Sequence, residues 1–502
     1  MKIRTKVLSL IPAVCLVASV AVDADKLVIL HTNDTHSQID STDDGRGGIL
    51  RRKVLIDSVR AVEPNVILID AGDVVQGTLY FTLYAGEVER KMMNELGYDI
   101  QILGNHEFDN GIEALADMYS KMNASKLSTN YDFSGTALDG LFKPYEIREI
   151  GGKRIAFMGI NIDPEGMIAS KNCVGVKYLD GFKAANATAW HLKHNEKVDM
   201  VVAITHIGYE HDPGPGDVSL VRSSEDIDLV IGGHSHTLID PTSDRSPECR
   251  VANADGDTVL IAQAGRKGQY VGEITIDLDD MSMNSRVIPV NGRFDGSIDG
   301  DAAGMLEQYR RGVDSLQSIK VGHAKVDFTT STPGLLNMMS DFVKDEGSRL
   351  LGEKVDMGII NKGGIRCGMP KGDISRGLIM QMLPFDNRLV VLEISGSDLL
   401  AALDVMASRG GDGVSEGVEA LIDGQSHRCV SATIDGKAID PEATYKVATI
   451  DYLANGGDYM KPLKNGTLLA KSNNVLYDDL IKYLSGKKKS MKPDNTQRMK
   501  LK

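Results

Sequence analysis

The chain has 502 residues, a formal net charge of −14, 42% apolar residues and 25% charged residues. That length points to more than one domain, and that apolar share to full-sized hydrophobic cores. The acidic balance argues against a nucleic-acid polymer as partner, because such binders present basic surfaces; any phosphate handled here needs local positive charge from metal ions or a few arginines.

Residues 1–24 read as a secretory signal peptide. Lys2, Arg4 and Lys6 precede an apolar stretch, residues 7–22, interrupted by Ser9, Pro12 and Ser19. The stretch falls short of the ~20 residues that a membrane span needs, and Val22-Asp23-Ala24 offers a small-residue cleavage site. The expectation is export to the periplasm, cell surface or medium, with no stable membrane span after signal removal. Beyond the signal stand Cys173, Cys249, Cys367 and Cys429. They allow three disulfide connectivities, among which sequence does not choose. Without CxxC or CxxH spacing, a cysteine-zinc site is not expected.

From residue 26 to about residue 289, short aliphatic runs end in loops rich in Asp, His, Asn and Gly: LVILHTNDTH, VILIDAGDVVQG, IQILGNHEFD, MVVAITHIG and LVIGGHSHT. Such runs, with little alternation, suit strands buried on both faces. Between them, residues 48–62 and 112–122 carry apolar positions at helical spacing. Strands alternating with helices predict α/β layering, and in such sheets ligands gather outside the carboxyl ends of the strands. All five polar loops fall there. An extended path through LGNHEFDNG would turn the adjacent side chains of Asn105 and His106 in opposite directions.

Residues 301–319 (DAAGMLEQYRRGVDSLQSI) are polar with helical spacing and read as a linker helix. They divide a first unit, 25–300, from a second, 321–484, with the linker taken as 301–320. The second unit has its own Gly-rich turns (NKGGIR, RGGDG, NGGD) and strands such as RLVVLEI. The Lys-rich end, 485–502, reads as a mobile surface tail.

The five clusters supply Asp34 and His36, Asp73, Asn105 and His106, His206, and His234 and His236. Oxygen and imidazole donors without thiolate suit Zn, Mn, Fe or Co better than calcium. They are enough for two ions, with Asp73 a candidate bridge through its two carboxylate oxygens. Two ions about 3.5–4 Å apart clamp a phosphoryl group and supply hydroxide near neutral pH. Taken singly, the residues have plainer readings. Asp34 and Asp73 also suit turns, Asp109 or Asn110 also suits the N-cap of a helix starting at Ile112, and His206 also reads as a structural histidine. Glu107 has no assignment beyond support behind the ligands. His211 reads as an exposed loop residue.

In order, D-x-H, GD-x-x-QG, GNHEFD, a lone TH and GHSH resemble the calcineurin-like metallophosphoesterase superfamily; TNDTH, GDVVQGT and GNHEFDNG narrow the resemblance to the 5'-nucleotidase family. NKGGIR, LPFDN and LANGGD resemble that family's C-terminal domain. The resemblance implies a layered β-sandwich flanked by helices, joined by the linker helix to an α+β C-terminal domain. It implies two divalent ions drawn from Zn, Mn, Co, Fe or Mg. Asp34, His36, Asp73 and His236 resemble the ligands of one ion; Asp73, Asn105, His206 and His234 resemble those of the other. His106 resembles the catalytic histidine that contacts the phosphate, with Asp109 orienting its ring. On the substrate side, Arg366 and Arg409 resemble arginines that contact phosphate or nearby polar groups. Asn361 opens the same turn as Arg366. Asp458 resembles the acceptor of ribose hydroxyls, and Tyr452 an aromatic that stacks on the base.

The implied activity is hydrolysis of a 5'-nucleotide to nucleoside and phosphate by metal-activated hydroxide, with a small-molecule nucleotide as partner. The alternative is a related hydrolase of UDP-sugars, 2',3'-cyclic nucleotides or 3'-nucleotides. Two departures bear on base recognition. Val414 stands where members usually supply a second aromatic, and Pro370, followed by Lys371, stands where some carry another arginine. Metals in one domain and the nucleoside grip in the other predict closure about the linker.

Overall fold

A computed structural model describes residues 26–210, 215–486 and 493–502. The signal segment, His211 and part of the Lys-rich tail lie outside the described residues. The aliphatic runs form the middle of two six-stranded sheets. The first has the order Met283–Pro289, Tyr270–Asp277, Lys26–Thr32, Val66–Asp70, Ile100–Gln101, Ser125–Lys126. The second runs Arg250–Ala252, Thr258–Ala262, Leu229–Ile231, Met200–His206, Lys153–Asn161, Tyr145–Ile150.

The sheets pack face to face. Leu27, Ile29, Ile67 and Ile69 of the first meet Phe157, Val202, Ile204 and Leu229 of the second in one buried cluster. Helices cover the outer faces. Ile49–Arg60, Glu87–Leu96 and Ile112–Ser120 bury Leu55, Met92 and Leu115 against the first sheet, and Gly181–His194 buries Ala185 and Leu192 against the second. Burial on both faces is why the strands lack alternation. Each fully buried Leu or Ile contributes about 1.5–3 kcal/mol.

The central strands are parallel, with Val28 opposite Val66, Ile69 opposite Ile100, Leu229 opposite Val202 and Asn161 opposite His206. Their carboxyl ends therefore emerge along one rim of the sandwich. The IQILG run is shorter as a strand than its aliphatic character suggests. It ends at Gln101, and His106–Phe108 form a 3-10 turn, with Asn105 at φ −79°, ψ −29°. The extended path expected through Asn105 and His106 is thus corrected: a turn, not strand alternation, separates their side chains.

The linker helix spans Gly300–Gln317 and lies docked on the first unit. Leu306 is fully buried, the Tyr309 hydroxyl donates to Glu87 Oε1 at 2.7 Å, and Arg310 donates to Asp40 Oδ1 at 2.6 Å. Its end meets the second unit, where Arg376 N donates to Ile319 O at 2.7 Å. In that second unit the helix Pro333–Leu351 packs on a five-stranded sheet ordered Gly413–Val414, Met357–Ile360, Thr444–Ile450, Leu389–Ser395, Thr467–Lys471. Phe342, Met357, Val391 and Val447 share its core.

The reading of the whole C-terminal end as a mobile tail is also corrected. Met499–Leu501 add a parallel strand beside Val418–Ile422, with Met499 opposite Ala420. Arg498, nearly buried, anchors it through Asp341 at 2.7 Å and Asp494 at 3.0 Å. A salt-bridged arginine and a buried methionine override the local abundance of lysine. Cys173, Cys249, Cys367 and Cys429 are free thiols. Among the described residues no helix is long and apolar enough to cross a membrane.

Candidate metal centre and substrate cavity

The parallel strands deliver the polar loops to one place. Asp34 and His36 follow Lys26–Thr32, Asp73 follows Val66–Asp70, Asn105 follows Ile100–Gln101, His206 ends Met200–His206, and His234 and His236 follow Leu229–Ile231. Three overlapping groups result, each with donor atoms within 4.8 Å of one another: Asp34–His36–His236 on one side, Asp73–His206–His234 on the other, and His36–Asp73–His106 joining them. Asn105 Oδ1 joins the second at 3.0 Å from His234 Nδ1. Asp73 lies between the groups, its Oδ2 3.2 Å from His206 Nε2 and 4.0 Å from His36 Nε2. The structure thus brings together all seven residues singled out as ligands.

Holding them there requires unusual backbone. Asp34, His36, Asp73, His234 and His236 all have positive φ, from 47° to 74°. Each such non-glycine residue costs roughly 1–2 kcal/mol, and strain of this kind clusters at functional sites. The loops also approach very closely. A Cβ on Gly72 would lie 2.5 Å from Gly104 N, and one on Gly104 would lie 2.2 Å from Asp73 Oδ1. Glycine is required at both positions because the two loops are in main-chain contact.

The donor chemistry fits divalent cations. His206 Nδ1 donates to Ala71 O at 2.6 Å, which leaves Nε2 as the ring nitrogen facing Asp73. That buried Nε2 has no hydrogen-bond partner, nor has His36 Nδ1. Burial would lower the His206 pKa, yet the Asp73 charge overcomes it and raises the group to about 10. Asp73, despite its own burial, is held well below the usual carboxylate range by His206 and His106. A carboxylate and an imidazole nitrogen converging in a buried site call for a cation between them, either the proton that the raised pKa of His206 describes or a metal ion that displaces it.

His106 stands beside this cluster. Its Nδ1 is 2.9 Å from Asp109 Oδ2. Burial would depress its pKa, but the charges of Asp109 and Asp73 raise it above the ordinary value, favouring the imidazolium. Asp109 does not cap the next helix: Gly111 is the N-cap, with no side-chain cap hydrogen bond. That removes the capping reading. Phe385, from LPFDN in the second unit, stacks on the His106 ring at 5.9 Å and 28°. The motif is visible in the sequence, but nothing local to it gives its phenylalanine a role.

Both units line one cavity of about 1090 Å³. The first contributes Asp73, Asn105, His106, His234 and His236; the second contributes Asn361, Arg366, Phe385, Tyr452 and Asp458. The Arg366 guanidinium is close enough to Asp73 and Asp109 to feel their charges. Asp458, at φ 52°, is held from several sides. Asn361 Nδ2 donates to its Oδ2 at 2.7 Å, and the Tyr452 hydroxyl lies 2.9 Å from its Oδ1.

Arg409 does not join the cavity wall. It donates to the Asp458 carbonyl and to Asp412, bracing the turn from behind. Of the two contacts expected for it, phosphate or nearby polar groups, these are nearby polar groups. Val414 is fully buried in the core, so it presents no second stacking face. A loop of the first unit closes over this side instead. Gly166 O accepts from Asp458 N at 2.8 Å and lies 3.1 Å from the Tyr452 hydroxyl, and Glu165 pairs with Lys461 at 2.7 Å. No local motif announces that loop, because its partners lie far away in sequence.

Comparison with known proteins agrees with this geometry. Residues 27–238 match the calcineurin-like phosphoesterase family, and residues 320–465 match the 5'-nucleotidase C-terminal domain. The chain is 30% identical to the 5'-nucleotidase of Vibrio cholerae over 486 residues, 86% of this chain and 85% of that one. It is 30% identical over 490 residues to the trifunctional nucleotide phosphoesterase protein of Bacillus subtilis, of whose length it spans 32%. The crystal structure of a 5'-nucleotidase precursor from Thermus thermophilus superposes with a TM-score of 0.85 at 30% identity, covering 95% of this chain and 99% of that one. Matches at 30% identity that cover 85% and 99% of two relatives place this chain in the 5'-nucleotidase family, as a phosphoric ester hydrolase of the calcineurin-like, metal-dependent class.

Proposed function

We propose that the protein hydrolyses 5'-mononucleotides to nucleoside and inorganic phosphate in the cavity between its two units. The observation that carries this reading is that the two donor groups and the Tyr452–Asp458 pair open onto the same cavity. Asp34, His36, Asp73 and His236 would hold one divalent ion, and Asp73, Asn105, His206 and His234 a second. Bound there, the ions would supply an activated water and neutralise charge on the phosphate oxygens.

The chain's own residues do the rest. His106, held by Asp109 and covered by Phe385, presents a cationic N–H to the phosphate, and Arg366 adds a second positive group. Asp458 accepts hydrogen bonds from ribose hydroxyls, and Tyr452 offers one stacking face to the base. Because the linker helix is docked on the first unit, opening of the cavity would pivot at its C-terminal end, residues 318–320. The basic and apolar pattern of residues 1–24 supports export of the protein. On this reading the catalytic unit is 25–300 and the substrate unit 321–484.

A second reading, a nucleotide ester larger than a mononucleotide, is favoured by one observation. The cavity of about 1090 Å³ is just above the ~300–1,000 Å³ usual for small-molecule sites. A panel of AMP, UMP, a UDP-sugar, a 2',3'-cyclic nucleotide and a 3'-nucleotide, with product analysis, tests both readings. Phosphate and nucleoside from the 5'-monophosphates are expected. Turnover of the UDP-sugar alone would replace the first reading with the second, and turnover of the cyclic or 3'-nucleotide alone would overturn both.

A further inference from the structure

Glu107 is the polar residue of GNHEFD that neither the metal nor the substrate reading uses. It is 4% exposed, and its carboxylate is saturated by main-chain donors from two loops. Oε2 accepts from Asp73 N at 3.1 Å and from Gly104 N at 2.6 Å, and Oε1 accepts from Val74 N at 2.8 Å. Asp73 returns the arrangement, its Oδ1 accepting from His106 N at 2.9 Å. Two carboxylates thereby lace together the loop carrying Asp73 and the loop carrying Asn105, each capping the main chain of the other.

The placement bears on the donors more than on the core. The N–H groups of Asp73 and Val74 lie on either side of the Asp73 Cα, the point where the backbone takes φ +56°. Gripping both fixes the direction in which Asp73 sends Oδ2 toward His206 and His36. The grip on Gly104 N fixes the residue just before Asn105. Partners of this kind, behind metal-ligating residues, orient the ligands, and losing one weakens metal affinity by about 10–100-fold.

We propose that Glu107 is a positioning residue: by holding the main chain at Asp73, Val74 and Gly104 it sets the spacing of Asp73 and Asn105, and with it the affinity of the cluster for divalent cations. This rests on the reading that those residues ligate metal. Chelator-stripped full-length protein is titrated with Mn²⁺, following the electron paramagnetic resonance signal of free Mn²⁺, with thermal melting of the stripped protein measured alongside. Glu107→Gln replaces one acceptor oxygen with an NH₂ that faces N–H donors. The expected result is Mn²⁺ binding at least about tenfold weaker than wild type in folded protein, with turnover recovering as Mn²⁺ is raised.

A residue that only supports the fold would lower the melting temperature and leave the affinity of the folded protein unchanged, and that result overturns the proposal. If Glu107→Gln does not fold, Glu107→Asp is read in its place. It keeps the charge but loses the reach to Asp73 and Val74, so the same weakening is expected and wild-type affinity is again the overturning result. Wild-type protein that binds no Mn²⁺ brings down the metal reading itself, an outcome distinct from equal binding by wild type and variant.

Discussion

The two halves of the cavity are built on opposite plans. In the first unit the polar groups sit on strained backbone, with buried donor atoms converging on one another: Asp73 at φ 56° faces His206 Nε2, which has no hydrogen-bond partner. In the second unit the polar groups mostly pair with one another: Asn361 Nδ2, Tyr452 and Arg409 are all engaged with Asp458, although Asn361 Oδ1 is buried without a partner. The first arrangement makes electrostatic sense with cations present. The second is a hydrogen-bonded surface shaped in advance. Chemistry should therefore depend on the first unit, and affinity for the nucleoside on the second.

The largest test of that division is Asp73→Asn. It keeps an oxygen but removes the charge shared by both donor groups, and loss of several kcal/mol of Lewis-acid stabilisation corresponds to about a 10³-fold fall in kcat. Asp109→Ala comes next. Since Gly111 is the helix N-cap, the fall should appear in kcat, by about 10²-fold through misplacement of His106, with the melting temperature nearly unchanged. A stability loss with normal turnover would move Asp109 to a structural role and blur the division.

On the nucleoside side, Tyr452→Ala should raise KM with little change in kcat. Removing one stacked aromatic costs about 1–3 kcal/mol, and with Val414 buried no second ring compensates. An equal fall in kcat would break the comparison. The smallest effect is expected from Lys461→Ala. The Glu165–Lys461 pair is 63–66% exposed, and such pairs contribute at most about 1 kcal/mol. A larger change in KM would show that the Gly166 loop governs closure.

How much of this is legible in the sequence follows from how local each feature is. Asp34, His36, Asp73, Asn105, His206, His234 and His236 each lie within a few residues of an aliphatic run, so strand, loop and donor can be read together. The α/β layering follows from the same runs. Glu107 is visible but has no role there, because the N–H groups of Asp73 and Val74 that it holds lie more than thirty residues away, as the separations of 34 and 33 show. Phe385 over His106, and Gly166 over Asp458, join the two units and leave no periodic trace. For Arg409 the motif leaves phosphate and nearby polar groups both open, and Asp412, three residues on, engages its guanidinium. The C-terminal strand is hidden behind its lysines, since pairing with Val418–Ile422 is a long-range event.

The most direct measurement of the central claim is phosphate release from AMP by chelator-stripped protein, before and after addition of Mn²⁺. The account predicts no release from stripped protein and full recovery with Mn²⁺, with Asp73→Asn silent when stripped and about 10³-fold slower than wild type with Mn²⁺. Undiminished release after stripping, or no release from any nucleotide with Mn²⁺ present, would contradict it.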